Sequence, residues 1–309
     1  MSLSAASPEI RAATQRVALL SVATAAILIV VKAIAWRASG SVAILASLSD
    51  SVLDLIASLI TVYAVRYAAE PPDAEHRFGH GKAEAFSSLM QGGLVFASGA
   101  LVGREAINAW LRPQPVEHGL AGVAVMAISI GLTFALITAQ TRVVKASGSI
   151  AISGDRAHYA ADLASNAVAL VGVGAAAWLG LPWVDAAAGL IVALWLIWGA
   201  IGVFREASHQ LMDHELPDEE REKIVTLVTA DPNVLGVHQL RTRASGPYIH
   251  IQMHADLAGD ISLAEAHAII VAAENRVLAA FPAADLIIHG DPRGLAEKHG
   301  GLFAEVEHD

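Results

Sequence analysis

Six stretches of about 20 residues, each almost free of charge, govern what this chain can become. No water reaches the core of a bilayer, so each stretch must satisfy its backbone hydrogen bonds internally and is expected to be a helix. They run from about Val17 to Trp36, Ala38 to Val65, Ala85 to Gly103, Gly119 to Thr141, Ile150 to Leu179 and Ala186 to Phe204. Only 16% of the residues are charged, against about 25% in an ordinary soluble protein. Six spans put both termini on one side. Arg11, Arg16, Arg66, Arg77, Lys82, Arg142, Lys145 and Arg156 fall on one set of loops, and only Arg37, Arg104 and Arg112 on the other. That bias places both termini in the cytoplasm. The first nine residues carry no signal-peptide pattern, and Gly180-Leu181-Pro182-Trp183 reads as an interfacial turn.

After Phe204 the composition becomes mixed. Pro217 to Ala230 reads as a helix, with Asp218, Glu219 and Glu220 favouring its first turn. Val234 to Thr242 and Tyr248 to Leu257 read as strands about the turn Ser245-Gly246-Pro247, Ser262 to Ala280 as a helix and Ala284 to His289 as a strand. The expected architecture is an α-helical membrane domain over residues 1–212, an αββαβ cytoplasmic α+β domain over 213–293 and a loose tail over 294–309.

Ionisable residues at membrane depth cost several kcal/mol unless they pair or bind, so they mark function. Asp50 and Asp54 sit four residues apart in the second span, and His158 and Asp162 four apart in the fifth. Four residues is one helical turn, so each pair shares a face. Three carboxylates and one imidazole make a tetrahedral ligand set for a divalent metal such as Zn²⁺. The chain has no cysteine, so metal ligands must come from its 13 histidines and its acids. The net charge of −10 suits cation handling and argues against nucleic acid. Asp73, His76 and His80 form a second candidate set in a glycine-containing loop. His238, His250, His254, His267, His289 and Asp291 form a third, with His250 and His254 on one strand face by parity.

These motifs together resemble the cation diffusion facilitator family, in particular its bacterial zinc and ferrous-iron efflux members. They are Asp50-x-x-x-Asp54, His158-x-x-x-Asp162, the His-Arg-Phe-Gly-His-Gly-Lys loop at 76–82, Leu211-Met212-Asp213 and Ile288-His289-Gly290-Asp291-Pro292. The resemblance spans residues 14 to 292. It implies a transport site at Asp50, Asp54, His158 and Asp162, and a loop site at Asp73, His76 and His80. It also implies a binuclear site at His238, His254, His267, His289 and Asp291 in a metallochaperone-like domain, with His250 outside that pattern. Family members are homodimers of the bacterial inner membrane that exchange metal for protons, with Lys82 and Asp213 as an ion pair at the dimer junction. The expected function is proton-coupled export of Zn²⁺, with Fe²⁺ and Cd²⁺ as further cargo. The alternatives are an intramembrane metalloenzyme, for which an open water position and a neighbouring base are lacking, and a passive channel, for which a closed tetrahedral site is too tight.

Overall fold

The computed structural model describes residues 8–40, 42–111, 120–179 and 182–294. Six long helices come first: α1 (Pro8–Ser39), α2 (Val42–Ala68), α3 (Ala83–Leu111), α4 (Leu120–Ser147), α5 (Ile150–Leu179) and α6 (Pro182–Leu211). Then follow α7 (Asp218–Val228), β1 (Gly236–Ser245), β2 (Tyr248–Leu257), α8 (Leu263–Ala280) and β3 (Ala284–Pro292). The expected turn at 180–181 and the tail at 295–309 lie outside the described residues. Most helices outrun the apolar stretches that reveal them. One expected boundary is wrong: Ala38 and Ser39 belong to α1, not to the second span. Gly40 takes φ +65°, a left-handed conformation that a residue with a Cβ resists, and its N–H caps α1 on the Trp36 carbonyl at 2.8 Å.

Five helices, α1, α2, α3, α4 and α6, are long and apolar enough to cross a membrane. α5 has 30 residues but carries Asp155, Arg156 and Asp162, and it packs against α3, α4 and α6. The bundle wears its apolar residues outside. Ile34, Tyr63, Phe86, Phe134, Leu194 and Trp198 are exposed, while Ser21, Ser51, Ser58, Thr61, Gln91 and Gln140 are buried. Helices in lipid gain nothing by hiding leucine from their surroundings. They associate through small residues and interhelical hydrogen bonds, and this polar interior fits that rule.

The C-terminal part is a three-stranded sheet in the order β1-β2-β3, with β1 antiparallel and β3 parallel to β2. Odd-numbered residues of β2, from Ile249 to Leu257, pack with Ile224, Val228, Ala273 and Val277 of the two helices. Even-numbered residues therefore face away from the helices. Ser262 and Glu265 form a reciprocal capping box that starts α8. In β1 a bulge between His238 and Arg241, with Gln239 at φ +50°, inserts one extra residue. Before it His238 pairs with His254; after it Arg243 pairs with His250. The bulge thus puts an even and an odd residue of β1 on the same helix-free face.

The sheet meets the membrane helices at one close approach. A Cβ on Gly81 would lie 1.9 Å from the Ser245 carbonyl oxygen, so only glycine fits there. Gly246, at φ +55°, donates its N–H to Gln210 Oε1 at 3.2 Å, and the Tyr248 hydroxyl donates to the Ala69 carbonyl at 3.4 Å.

Candidate functional site

Within the bundle, Asp54 of α2 and His158 and Asp162 of α5 converge, each offering a ligand atom within 4.8 Å of the others. His158 Nε2 lies 3.0 Å from Asp54 Oδ1 and 3.7 Å from Asp162 Oδ2. Asp54 and His158 are buried. His158 Nδ1 and Asp162 Oδ2 are buried without a hydrogen-bond partner, a costly arrangement that a bound cation would relieve. Asp50, one turn along α2, is exposed and outside the group. Three of the four residues expected from the sequence therefore gather, and the fourth stands beside them.

The sequence reading missed what supports this cluster. Asp155 lies three residues before His158 and seven before Asp162, on the same face of α5. It is fully buried and ties four helices together. Its carboxylate accepts from Gln91 of α3 at 3.2 Å, Gln140 of α4 at 2.8 Å and Ser58 of α2 at 3.5 Å. Gln140 also donates to Ser21 of α1 at 3.1 Å, and the Tyr159 hydroxyl bridges Ser58 Oγ and the Ser21 carbonyl. Next to Arg156, Asp155 reads as a charge at a loop boundary; only its i, i+3, i+7 relation to the site could have flagged it. Glu84 of α3 secures the start of the same helix, accepting from Ser149 Oγ at 2.6 Å and the Ala151 N–H at 3.4 Å. Asp155→Ala would remove the acceptor that joins Gln91, Gln140 and Ser58; Gln91 keeps the Ala57 carbonyl and Thr61 Oγ1 and Gln140 keeps Ser21, so the cost is about 1–3 kcal/mol in all. The expected result is a melting temperature in detergent lowered by several degrees, with a smaller fall for Asp155→Asn, which keeps one acceptor oxygen.

The second expected cluster also assembles. Asp73 accepts from the backbone N–H groups of His76 and Glu75, at 2.6 and 2.9 Å, and stands 3.2 Å from His76 Nδ1 and 3.3 Å from His80 Nε2. The His76 N–H, with that of Glu75 and the nearby imidazole, holds the Asp73 carboxyl below its ordinary range against some desolvation. His80 is buried beneath Tyr67, ring centroids 4.4 Å apart, and its Nδ1 has no partner. Beside this loop, Lys82 Nζ lies 3.0 Å from Asp213 and Arg243 Nη1 3.1 Å from the same carboxylate. Burial opposes ionisation of Asp213, but the Lys82 hydrogen bond and the Arg243 charge prevail and lower its pKa.

On the helix-free face of the sheet, His238, His254 and His289 form one row across the three strands by register. His238, His254 and Asp291 group within 4.8 Å. Asp291 Oδ2 lies 2.8 Å from His254 Nδ1 and 3.3 Å from His238 Nε2, and its Oδ1 3.2 Å from His289 Nε2. Asp256, absent from the sequence reading, faces His238 Nδ1 at 3.7 Å. His267 is exposed on α8 and outside the group. His250 is buried with Nδ1 3.2 Å from Asp285 and Phe78 edge-on at 5.7 Å; its Nε2 has no hydrogen-bond partner, and it lies outside the groups that could hold an ion.

Buried acid–imidazole clusters inside apolar helices, with further clusters in an adjoining polar domain, define a membrane protein built to handle cations. Comparison with known proteins agrees. Residues 18–212 match the cation efflux transmembrane domain, and residues 216–293 match the cytoplasmic domain of cation efflux proteins. The cation-efflux pump FieF of Klebsiella pneumoniae is 40% identical over 277 residues, 90% of this chain and 92% of the pump. That of Salmonella typhi is 38% identical over 291 residues, 94% and 97% of the two chains. A solved structure of the zinc form of a putative zinc transporter, CzrB, is 33% identical, covering 28% of this chain and 98% of its own, with a TM-score of 0.26. The chain belongs to the cation efflux family. It is a transporter, not an enzyme.

Proposed function

We propose that the chain is a proton-coupled antiporter that exports a divalent transition metal, Zn²⁺ first and Fe²⁺ and Cd²⁺ besides, from the cytoplasm by alternating access. The observation that carries this reading is the convergence of buried Asp54 and His158 with half-buried Asp162, with His158 Nδ1 and Asp162 Oδ2 lacking hydrogen-bond partners. These residues, with Asp50 completing the set by a small movement of α2, are the transport site. His158 Nε2 lies 3.0 Å from Asp54 Oδ1, so an ion and a proton compete for one nitrogen lone pair. Metal binding needs that nitrogen deprotonated, so export and proton entry are linked at the ligands themselves, with no separate proton path.

In this reading α5 is a sixth span, both termini are cytoplasmic, and the chain works as a homodimer in a bacterial inner membrane. Residues 1–212 form the membrane domain, 213–293 the cytoplasmic domain and 294–309 a tail. Asp73, His76 and His80 bind a second ion. His238, His254, His267, His289 and Asp291 bind regulatory metal, His267 standing exposed on α8 and outside the group that the other residues form. Support comes from the cation-efflux names of the relatives and from the oxygen and nitrogen ligand sets, which suit first-row divalent ions. The test is metal-dependent proton flux in proteoliposomes across Zn²⁺, Fe²⁺, Cd²⁺ and Mn²⁺. Antiport moves protons inward as metal moves outward at a constant ratio. Metal flux with no proton counterflow would mean a channel.

A further inference from the structure

Among the described residues, Lys32 is the only lysine or arginine that is buried, with 5% of its surface exposed. It projects from the last third of α1 and is the one charged residue between Val17 and Trp36, and such a charge is expensive in a bilayer. Its ammonium donates to Ser51 Oγ at 2.7 Å and to the Ser47 carbonyl at 3.0 Å, both on α2. Ser51 follows Asp50 directly and precedes Asp54 by three residues, so the amine is anchored in the turn of α2 that carries both carboxylates. A serine or threonine would have sufficed to join α1 to α2.

We propose that Lys32 is a built-in counter-cation of the transport site. With the site empty, its charge offsets carboxylates that would otherwise repel one another. With a dication bound, the same charge repels the ion and weakens its hold. An exporter gains from this, because an ion bound by several carboxylates and an imidazole must still leave. Lys32 touches no ligand and acts through space, so it is a positioning and affinity-setting residue, not a ligand. Even at an effective dielectric of about 20, the repulsion between a unit charge and a dication several Å apart is large enough to change affinity by tenfold or more.

The proposal rests on Asp54, His158 and Asp162 being the transport site, and the test separates the two. Zn²⁺ transport by the full chain is measured in proteoliposomes for Lys32→Gln, Lys32→Arg and Asp54→Ala. Lys32→Gln keeps donors for Ser51 and Ser47 but removes the charge. Its KM for Zn²⁺ is expected to fall tenfold or more while the maximal rate also falls, because release slows. Lys32→Arg should stay within about twofold of the parent KM. A role confined to joining α1 and α2 predicts the opposite pattern, with Lys32→Gln near the parent and KM unchanged or raised; that result overturns the counter-cation. If Lys32→Gln does not fold, Lys32→Met removes the same charge and carries the same expectation. Loss of transport in Asp54→Ala together with an unchanged KM in Lys32→Gln refutes only the role of Lys32. Parent-like transport by Asp54→Ala refutes the site itself.

Discussion

Asp162→Ala is expected to abolish metal transport while leaving a folded protein. Asp162 contributes an oxygen within 4.8 Å of the ligand atoms of Asp54 and His158, and its Oδ2 makes no hydrogen bond that packing depends on. Removing a half-buried carboxylate whose Oδ2 makes no hydrogen bond disturbs the helices little, whereas three ligands cannot hold the ion as four do. Loss of a supporting partner around a metal typically costs about 10–100-fold, and loss of a direct ligand should exceed that. Transport in proteoliposomes is the measurement, with an unchanged elution volume showing the fold intact. Transport at the parent rate would show that the ion passes elsewhere. Asp54→Ala has the same expected outcome, with a larger cost in stability, because Asp54 holds His158 Nε2 at 3.0 Å.

The second large effect is expected in the cytoplasmic domain. His238, His254 and His289 stand in one row with Asp291 among them, within reach of a shared ion. Metal that binds only the folded domain raises its stability by mass action. Residues 213–293 should therefore melt higher in Zn²⁺ than in chelator, and the difference should collapse in His289→Ala/Asp291→Ala. In the whole protein the same double substitution should weaken transport without ending it, since the proposed conducting ligands lie in the membrane; complete loss in a folded variant would put this domain on the path. The pH dependence has a definite sign. Burial works against ionisation of Asp291, but the hydrogen bond from His254 and the nearby His289 and His238 outweigh it and hold its pKa below the ordinary value. Its contribution is therefore present above about pH 4 and lost only as pH falls further, through the lowered value. Loss of Zn²⁺ stabilisation between pH 7 and 5 is therefore not expected from this carboxylate. A step of that loss tracking the carboxylate would contradict the geometry.

Much of this could be read in the residues alone, for local reasons. A bilayer demands helices of a set length, so uncharged runs reveal them without knowledge of any partner. The period of 3.6 residues puts Asp50 with Asp54 and His158 with Asp162 whatever surrounds them, and Tyr248 to Leu257 is a strand by its alternation. Tertiary structure decided the rest, because the deciding contacts join residues far apart in the chain. That Asp54 meets His158 and Asp162, while Asp50 does not, depends on how α2 lies against α5. Asp155 is a bare acid in the sequence; only the arrival of Gln91, Gln140 and Ser58 from three other helices makes it the centre of a buried network. His250 and His254 share a face by parity, yet one is tied to Asp285 beside Phe78 and the other to Asp291, because the neighbouring strand supplies different partners at each level. In β1 parity itself fails. The bulge at Gln239 carries Arg243 to the face that His238 occupies, and no alternation rule predicts one inserted residue that only cross-strand pairing can define.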